Sequence, residues 1–259
     1  MIKEILCETA IDYEYPPDGG KVPVIDAYDG CQLRCPYCFQ WLDLAWNRNI
    51  LVKTNLPEVL ARQLDAWDVT QTLYVGSRSD PYMALEGRYR LTRRTLQVLQ
   101  ARGVPCILST KSNAPAFFDD ISLFLEYKDK LIICVGQANL AHLRRTSDQR
   151  ELPNIRAANE LARLGINTWV FITPVLPGIT DVETMVDALP KNMPVYVDKL
   201  RLDAGSAAER RLFDYLTTHY PELEARYRAL ARAGADPYYA ELKELYRDEP
   251  RVQFVFGEH

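Results

Sequence analysis

Six short apolar runs alternate with longer amphipathic stretches along most of this chain, and the alternation restricts the folds open to it. The runs are rich in Val, Ile and Leu with few polar interruptions, which is typical of strands covered on both faces. Strands that alternate with helices predict a parallel sheet with right-handed crossovers. The predicted strands cover residues 22–28, 72–76, 105–111, 131–137, 167–175 and 195–202.

The stretches between the strands have helical periodicity. They predict helices at about 56–66, 91–102, 116–126, 153–164 and 181–189. For the second of these helices, Thr92 is the expected N-cap and Gly103 the expected C-terminal stop. Pro153 is expected to mark the start of the fourth helix and Gly165 its end, because proline suits the first turn and glycine suits the position after the last turn.

Length and composition favour a single domain. The chain has 259 residues, 47% of them hydrophobic, which is enough for one sizeable core. We predict a turn-rich lead-in at 1–21, a strand–helix core at 22–205 and a helical C-terminal extension at 206–259 that packs on the core. The extension is expected to contain helices at 206–218, 221–233 and 237–246, and a last strand at 252–256.

Charge and hydropathy argue against two classes of partner. The formal net charge is −4 and the isoelectric point is about 5.5, so the chain lacks the basic excess that is usual in proteins bound to nucleic acid. The N-terminus has no signal-peptide pattern, and no apolar run approaches the roughly 20 residues needed to span a bilayer. We therefore expect a cytoplasmic protein with no membrane partner.

Three cysteines, Cys31, Cys35 and Cys38, are crowded into the loop after the first predicted strand. Disulfide frameworks belong to short secreted chains, so metal binding is the better interpretation here. Three thiolates at this spacing can hold one corner of a cube-shaped 4Fe–4S cluster. Such clusters usually have four cysteine ligands, and the missing fourth ligand leaves one iron open to a chelating substrate.

Other metals and other cysteines are weaker candidates. A tetrahedral zinc site would need a fourth ligand, and none of the three histidines, at 142, 219 and 259, has finger-like spacing to the cysteines. Cys106 and Cys134 lie inside predicted strands, where burial and packing are their expected role. Cys7 precedes the predicted core and has no assigned role.

The cysteine loop, with Tyr37 just before its third cysteine, resembles the radical S-adenosylmethionine superfamily. Further segments are similar to the spore photoproduct lyase-like branch of that superfamily, and the resemblance covers about residues 22–205. It implies a partial six-stranded β/α barrel of the TIM type, an oxygen-sensitive 4Fe–4S cluster and S-adenosylmethionine as cofactor. The segments that carry it are 75–82, 91–93, 109–112 and 174–181.

The resemblance also implies roles for single residues. Tyr37 would lie near the adenine, and the Ser79-Asp80 pair would hold the methionine amino group. Lys111 would pair with the methionine carboxylate, and Gln137 would meet the ribose or the methionine. Each has a structural alternative: Tyr37 is equally expected as a core aromatic, Lys111 alone could be a solvated side chain, and Ser79-Asp80 could form a simple turn.

One position departs from the branch. In the photoproduct lyase, a cysteine two positions before the serine donates a hydrogen atom to the product radical, whereas this chain has Ser77 there. Because a serine O–H is a much poorer hydrogen-atom donor than a thiol, DNA repair by that route is not favoured. Tyr82 is a speculative substitute for the missing thiol.

The sequence therefore predicts a radical S-adenosylmethionine enzyme that forms a 5′-deoxyadenosyl radical and abstracts a hydrogen atom from a small-molecule substrate. An electron donor such as flavodoxin or ferredoxin would be its protein partner. Two alternatives stay open. One is a radical enzyme that acts on nucleic acid, and the other is a non-enzymatic iron–sulfur or zinc protein used for binding or sensing.

Overall fold

The computed structural model describes residues 1–15, 20–38, 40 and 49–255. Phe256, the end of the last predicted strand, and most of the turn-rich segment at 16–20 lie outside these residues. The strands are β1 (Ile2–Ile5), β2 (Asp12–Glu14), β3 (Val22–Ile25), β4 (Tyr28–Asp29), β5 (Ile50–Lys53), β6 (Leu73–Val75), β7 (Cys106–Thr110), β8 (Leu131–Gly136), β9 (Thr168–Val175), β10 (Val195–Lys199) and β11 (Val252–Phe254).

Helices occupy most of the segments between the strands and the C-terminal part of the chain. They are α1 (Leu56–Gln63), α2 (Glu86–Tyr89), α3 (Leu91–Arg102), α4 (Pro115–Phe118), α5 (Ile121–Tyr127), α6 (Leu140–Arg145), α7 (Pro153–Arg163), α8 (Val182–Asp187), α9 (Ala207–His219), α10 (Glu224–Ala233) and α11 (Pro237–Leu245). In the described residues, no helix is long and apolar enough to cross a membrane.

The larger sheet has eight strands in the order β11-β10-β9-β8-β7-β6-β3-β2. The pairings β3–β6, β6–β7 and β7–β8 are parallel, as are β9–β10 and β10–β11. Only the edge strand β2 runs antiparallel to its neighbour among the pairings defined in the described residues of this sheet. Parallel strands joined by helices confirm the predicted α/β fold, and β11 pairs with β10 as the sequence suggested.

The first predicted strand is two strands in the structure. β3 belongs to the large sheet, whereas β4 pairs antiparallel with β5 in a three-stranded sheet of order β1-β5-β4. The sequence did not predict β1, β2 or β5. β1 and β2 are short and carry charged residues in place of an apolar run, with mostly exposed or half-exposed side chains, so they lack the signal that identifies buried strands.

The predicted N-cap of α3, Thr92, is wrong, although the predicted bounds 91–102 are those of the helix. Its N-cap is Arg90, in the left-handed region with φ 52° and without a side-chain cap. Thr92 lies inside the first turn, where its hydroxyl donates to the carbonyl of Pro81 at 2.7 Å. The backbone N–H groups of Thr92 and Arg93 donate instead to the carboxylate of Glu86, both at 3.1 Å. Glu86 supplies the acceptors that an N-cap side chain would otherwise provide, from a residue outside the helix.

The chain divides into two compact units. The first comprises Met1–Leu33, Ala45–Val135 and Glu160–Thr168, and the second comprises Arg34–Leu44, Gly136–Asn159 and Trp169–His259. The core of the first unit includes Ile25, Leu73, Leu108 and Ile133, all fully buried. Cys106 and Cys134 are buried in the same core, which confirms their predicted packing role.

Candidate active site

The first unit carries a loop of five residues, Gly76–Asp80, directly after β6. Gly76 has φ +82°, and a Cβ atom there would lie 2.5 Å from Cδ of Pro81 and 2.7 Å from the carbonyl oxygen of Ser109. A residue with a side chain would therefore be both strained and in steric conflict. Glycine is needed where the chain leaves β6 and turns into the predicted cofactor-binding segment.

Asp80 closes this loop from inside the protein. Its Oδ1 accepts hydrogen bonds from Thr110 Oγ1 at 2.8 Å and from the N–H of Tyr82 at 2.9 Å. Its Oδ2 accepts the N–H of Lys111 at 2.7 Å. Burial raises the pKa of the Asp80 carboxyl, and these hydrogen bonds oppose that shift. The structure thus shows Asp80 linking the loop to the end of β7, and its contact with a methionine amino group stays a prediction.

Ser79 is also buried, with 3% of its surface exposed. Its hydroxyl donates to the carbonyl of Tyr28 at 2.7 Å, and its N–H donates to Oδ1 of Asp26 at 3.1 Å. Oδ1 of Asp26 accepts the N–H of Arg78 at 3.1 Å as well. The backbone of the loop is therefore held by two acidic side chains, Asp80 at its end and Asp26 beneath it.

Asp26 was missed by the sequence reasoning. It follows β3 directly, at the carboxyl end of a strand, and this position alone could have drawn attention to it. Burial raises the pKa of its carboxyl to about 6, against the hydrogen bonds from Ser79 and Arg78 and the positive charge of Lys53. Its Oδ2 is buried and has no hydrogen-bond partner.

The Ser77 hydroxyl is occupied by a hydrogen bond within the protein. Its hydroxyl donates to Oε2 of Glu14 at 2.6 Å, and Glu14 also pairs with the guanidinium of Arg78 at 3.1 Å. Asp12 binds the same guanidinium at 2.7 Å. Because β2 carries both acids, this edge strand, which the sequence did not predict, covers the outer side of the Gly76–Asp80 loop.

Tyr82, the speculative substitute for the missing thiol, is fully buried. Its hydroxyl donates to Oδ2 of Asp120 at 2.8 Å, and Asp120 pairs with Arg93 at 2.5 Å. The ring packs edge-on against Phe117, with centroids 5.1 Å apart. Burial, with the negative charge of Asp120 next, raises the pKa of the Tyr82 phenol well above its usual value. These contacts describe a packed structural tyrosine.

Lys111 follows β7 and is half-buried. Its backbone is fixed by the hydrogen bond to Asp80, and its positive charge is among the influences that lower the pKa of that carboxyl. The Asp80 carboxylate therefore holds the backbone of Lys111. Ser79 is held next to Asp80 in the loop that Asp80 closes. The pairing of the Lys111 ammonium with a carboxylate of the cofactor remains a prediction.

The predicted cluster ligands are three half-buried cysteines. Cys31 belongs to the first unit, and Cys35 and Cys38 belong to the second. The N–H of Cys38 donates to the carbonyl of Cys35 at 3.0 Å, which forms a turn between these two cysteines. Arg34, next to Cys35, adopts a left-handed φ of 49°. Cysteine thiolates are the usual ligands of iron–sulfur clusters, so the chemistry of these three side chains fits the predicted cluster.

A single metal ion is a different case. Within the part of the chain that the structure describes, no three His, Cys, Asp or Glu side chains converge as ligands of one ion would. The thiols of a cube-shaped cluster bind three different irons and need not converge in this way. The absence of a single-ion site in the described residues therefore does not test the cluster, which remains a prediction.

Tyr37 and Gln137 lie in the second unit. The Tyr37 side chain is buried, and its hydroxyl donates to the carbonyl of Ala138, the residue after Gln137. Gln137 follows β8, with 1% of its surface exposed, and its N–H donates to the carbonyl of Phe171 at 2.8 Å. The structure thus joins the aromatic residue of the cysteine loop to the end of β8. Contacts of either side chain with a cofactor stay predictions.

Comparison with known proteins gives relatives in sequence and in structure. No protein-family model matches the chain. An uncharacterized protein of Mycobacterium tuberculosis is 28% identical over 261 residues, 91% of this chain and 74% of the relative. One of Methanocaldococcus jannaschii is 29% identical over 221 residues, 80% of this chain and 81% of the relative.

Among solved structures, spore photoproduct lyase complexed with dinucleoside spore photoproduct matches with a TM-score of 0.62. The match covers 98% of this chain and 82% of that one, at 11% identity. This chain has the fold of spore photoproduct lyase. Streptococcus suis SuiB bound to S-adenosylmethionine matches with a TM-score of 0.51 and 15% identity, over 91% of this chain and 50% of SuiB. These two matches confirm the predicted resemblance at the level of the fold.

Proposed function

We propose that this chain is a radical S-adenosylmethionine enzyme that reductively cleaves the cofactor and uses the resulting 5′-deoxyadenosyl radical to abstract a hydrogen atom from a small-molecule substrate. The observation that carries the proposal is the loop with three half-buried cysteines in a chain that has this fold. When bound to these thiols, a reduced 4Fe–4S cluster would supply the electron for the cleavage.

The chain's own residues would bind and orient the cofactor. Cys31, Cys35 and Cys38 would hold the cluster, with one iron left for the methionine amino and carboxylate groups. Ser79 and Lys111 would contact the methionine part, since both are fixed by hydrogen bonds within the first unit. A flavodoxin or ferredoxin would deliver the electron, and the cytoplasm provides such donors.

A small-molecule substrate is favoured over a DNA photoproduct. Ser77 replaces the hydrogen-donating thiol, and its hydroxyl is held by Glu14. Within the described residues, Tyr82 is likewise committed to Asp120 and does not replace that thiol. The acidic balance of the chain supports the same choice.

A basic and aromatic surface in the second unit supports the nucleic-acid alternative. Nη1 of Arg144 lies 3.0 and 2.8 Å from the two ring nitrogens of His219, and the ring of Tyr215 lies 4.6 Å from that imidazole between centroids. Such a surface could stack on a base and bind a phosphate. Filter binding with DNA at low and moderate salt tests this function, because phosphate binding weakens steeply with salt.

The decisive experiment is anaerobic reconstitution with iron and sulfide, followed by reduction with dithionite and S-adenosylmethionine. We expect a brown protein with about four irons per chain that releases 5′-deoxyadenosine. The Cys31→Ala variant should lose both iron and product, and the matched variant Cys7→Ser should keep both, since Cys7 lies outside the loop. Product formation by Cys31→Ala would contradict the proposal, and a colourless protein with bound zinc would support a binding or sensing role.

A further inference from the structure

Asp26 is placed to control the orientation of the Gly76–Asp80 loop. Its side chain is buried, and Oδ1 accepts the N–H groups of two successive residues, Arg78 and Ser79, each at 3.1 Å. The hydroxyl of Ser79 lies 3.4 Å from the same oxygen. A single oxygen that accepts two neighbouring amides fixes two peptide planes at once.

The direction of these amides determines where the carbonyl groups point. In a trans peptide the N–H and the C=O point in opposite directions, and these peptides are not cis. The carbonyls of Ser77 and Arg78 therefore face away from Asp26. Within the described residues neither accepts a hydrogen bond from the protein. Two carbonyl oxygens turned outward are acceptors that suit a protonated amine.

We propose that Asp26 is a positioning residue of the cofactor site, which orients the Ser77 and Arg78 carbonyls toward the methionine amino group of S-adenosylmethionine. This inference rests on the proposed function. Asp26 itself does not touch the cofactor. It acts through the two amides that it holds.

Asp26 lines a small cavity in the first unit, of about 10 Å³, enough for one water molecule. Thr95 from α3 lines the same cavity, and its buried Oγ1, like Oδ2 of Asp26, has no hydrogen-bond partner. One water molecule between these two atoms would satisfy both. Since this water would leave Oδ1 to the amides, it would keep the carboxylate in one orientation.

The charge of Asp26 is set by few neighbours. Lys53 on β5 donates through Nζ to the Asp26 carbonyl at 3.1 Å, and the guanidinium of Arg78 is the second positive group. Glu14 and Asp12, both on β2, pair with that guanidinium, and Asp29 pairs with the Lys53 ammonium. Thr95 contributes a neutral hydroxyl from α3, and Ser79 contributes another from the loop. The pKa of Asp26 is raised by burial to about 6, so protonation in mildly acidic solution would weaken its hold on the amides.

Hydrogen exchange tests the hold on the loop without the cofactor. In the full-length protein, Asp26→Ala should speed exchange of the Arg78 and Ser79 amides about tenfold or more. Asp26→Asn, which keeps an acceptor oxygen, should speed it less. The matched control Asp12→Asn removes a carboxylate from the Arg78 side chain only and should leave both amides unchanged. Equal exchange in Asp26→Ala and the unchanged protein would overturn the proposal.

Binding of S-adenosylmethionine to the reconstituted protein tests the link to the cofactor. Asp26→Ala should raise the Kd about tenfold or more, a change of about 1.4 kcal/mol, while the iron content stays the same. In the unchanged protein the Kd should rise as the pH falls from about 7.5 to about 5.5, across the raised pKa of the carboxyl, and in Asp26→Asn this rise should be absent. An unchanged Kd in Asp26→Ala would overturn the positioning role.

Thr95→Val tests the water. The variant keeps the shape of the side chain but removes the hydroxyl, so a crystal structure should show the water in the unchanged protein and lose it in the variant. An empty cavity in the unchanged protein would contradict this part of the proposal. If the unchanged protein binds neither a cluster nor S-adenosylmethionine, the proposed function fails, and the exchange experiment still decides whether Asp26 holds the loop.

Discussion

Asp80 and Asp26 are both buried carboxylates that hold the Gly76–Asp80 loop, yet their surroundings differ. Asp80 accepts three hydrogen bonds through its two oxygens, from Thr110, Tyr82 and Lys111. Asp26 uses one oxygen for Arg78 and Ser79, and its other oxygen is buried without a hydrogen-bond partner. A fully bonded carboxylate serves as framework, whereas a half-bonded one leaves the loop sensitive to protonation and solvent.

Removing Asp80 should have the largest effect on stability. Asp80→Ala leaves the Thr110 hydroxyl and the N–H groups of Tyr82 and Lys111 without their acceptor inside the protein. Each buried unsatisfied donor costs about 1–3 kcal/mol, so we expect a loss of about 3–5 kcal/mol in the free energy of unfolding. Urea unfolding measures it. The exposed Asp119→Ala should lose about 0.5 kcal/mol or less, and an equal loss in the two variants would show that Asp80 is not a framework residue.

Substitution of Gly76 should have the second-largest effect on stability, because the residue is closely packed. Gly76 and Gly165 have similar positive φ, +82° and +76°, but only Gly76 of the two has atoms of other residues where a Cβ would lie. Alanine at either position costs about 1 kcal/mol for the left-handed backbone. Gly76→Ala should lose about 1–3 kcal/mol more, because it meets the Pro81 ring and the Ser109 carbonyl. Urea unfolding of both variants gives the difference, and similar losses would mean that the loop can shift to accept a side chain.

The sequence predicted the helix of this region better than the acidic side chains that hold the region together. The helix at 91–102 was placed correctly by its periodicity and by Gly103, because both signals lie within the helix or directly after it. The acceptor at its start, Glu86, could not be found in this way, because Glu86 lies outside α3. The acids Asp12 and Glu14 were missed for a related reason, since β2 has no apolar pattern of its own and pairs only at a sheet edge.

In the candidate site, too, the sequence identified residues that lie close together in the chain and missed those that only the fold brings together. Spacing along the chain was enough to select Cys31, Cys35 and Cys38, because all three candidate ligands lie in one loop. Asp26 was not selected, since its role depends on amides about 50 residues later in the chain. Ser77 was noticed as a departure from the resemblance, but its partner Glu14 could be identified only from the fold.

The difference between the two carboxylates should also appear in pH dependence. The pKa of Asp26 is about 6 in the folded protein and about 3.9 in an unfolded chain. A raised folded pKa stabilises the protein below the unfolded value, and this contribution is lost as the pH rises through the folded value. Between about pH 5 and pH 7.5 the protein should therefore lose about 1.4 kcal/mol that Asp26→Asn does not lose. Urea unfolding of both proteins at the two pH values measures it.

The exposed Asp65 provides the control for this measurement. Asp65 pairs with Arg102 at the surface, with 66% of its side chain exposed. Asp65→Asn should therefore follow the unchanged protein between the two pH values. If the stability difference between the unchanged protein and Asp26→Asn were constant with pH, Asp26 would titrate at an ordinary value, and its unbonded oxygen would not be isolated from solvent.

The outer side of the loop should matter least for stability. Asp12 binds the Arg78 guanidinium at 2.7 Å, but 64% of the Asp12 side chain is exposed, so water and salt screen the pair. Asp12→Asn should lose about 0.5 kcal/mol or less in the free energy of unfolding, and the loss should vanish at about 1 M salt, where the Debye length is about 3 Å. Urea unfolding at low and high salt measures both. A loss that persisted at high salt, or that matched the loss in Asp26→Ala, would show that the Arg78 side chain and not its amide fixes the loop.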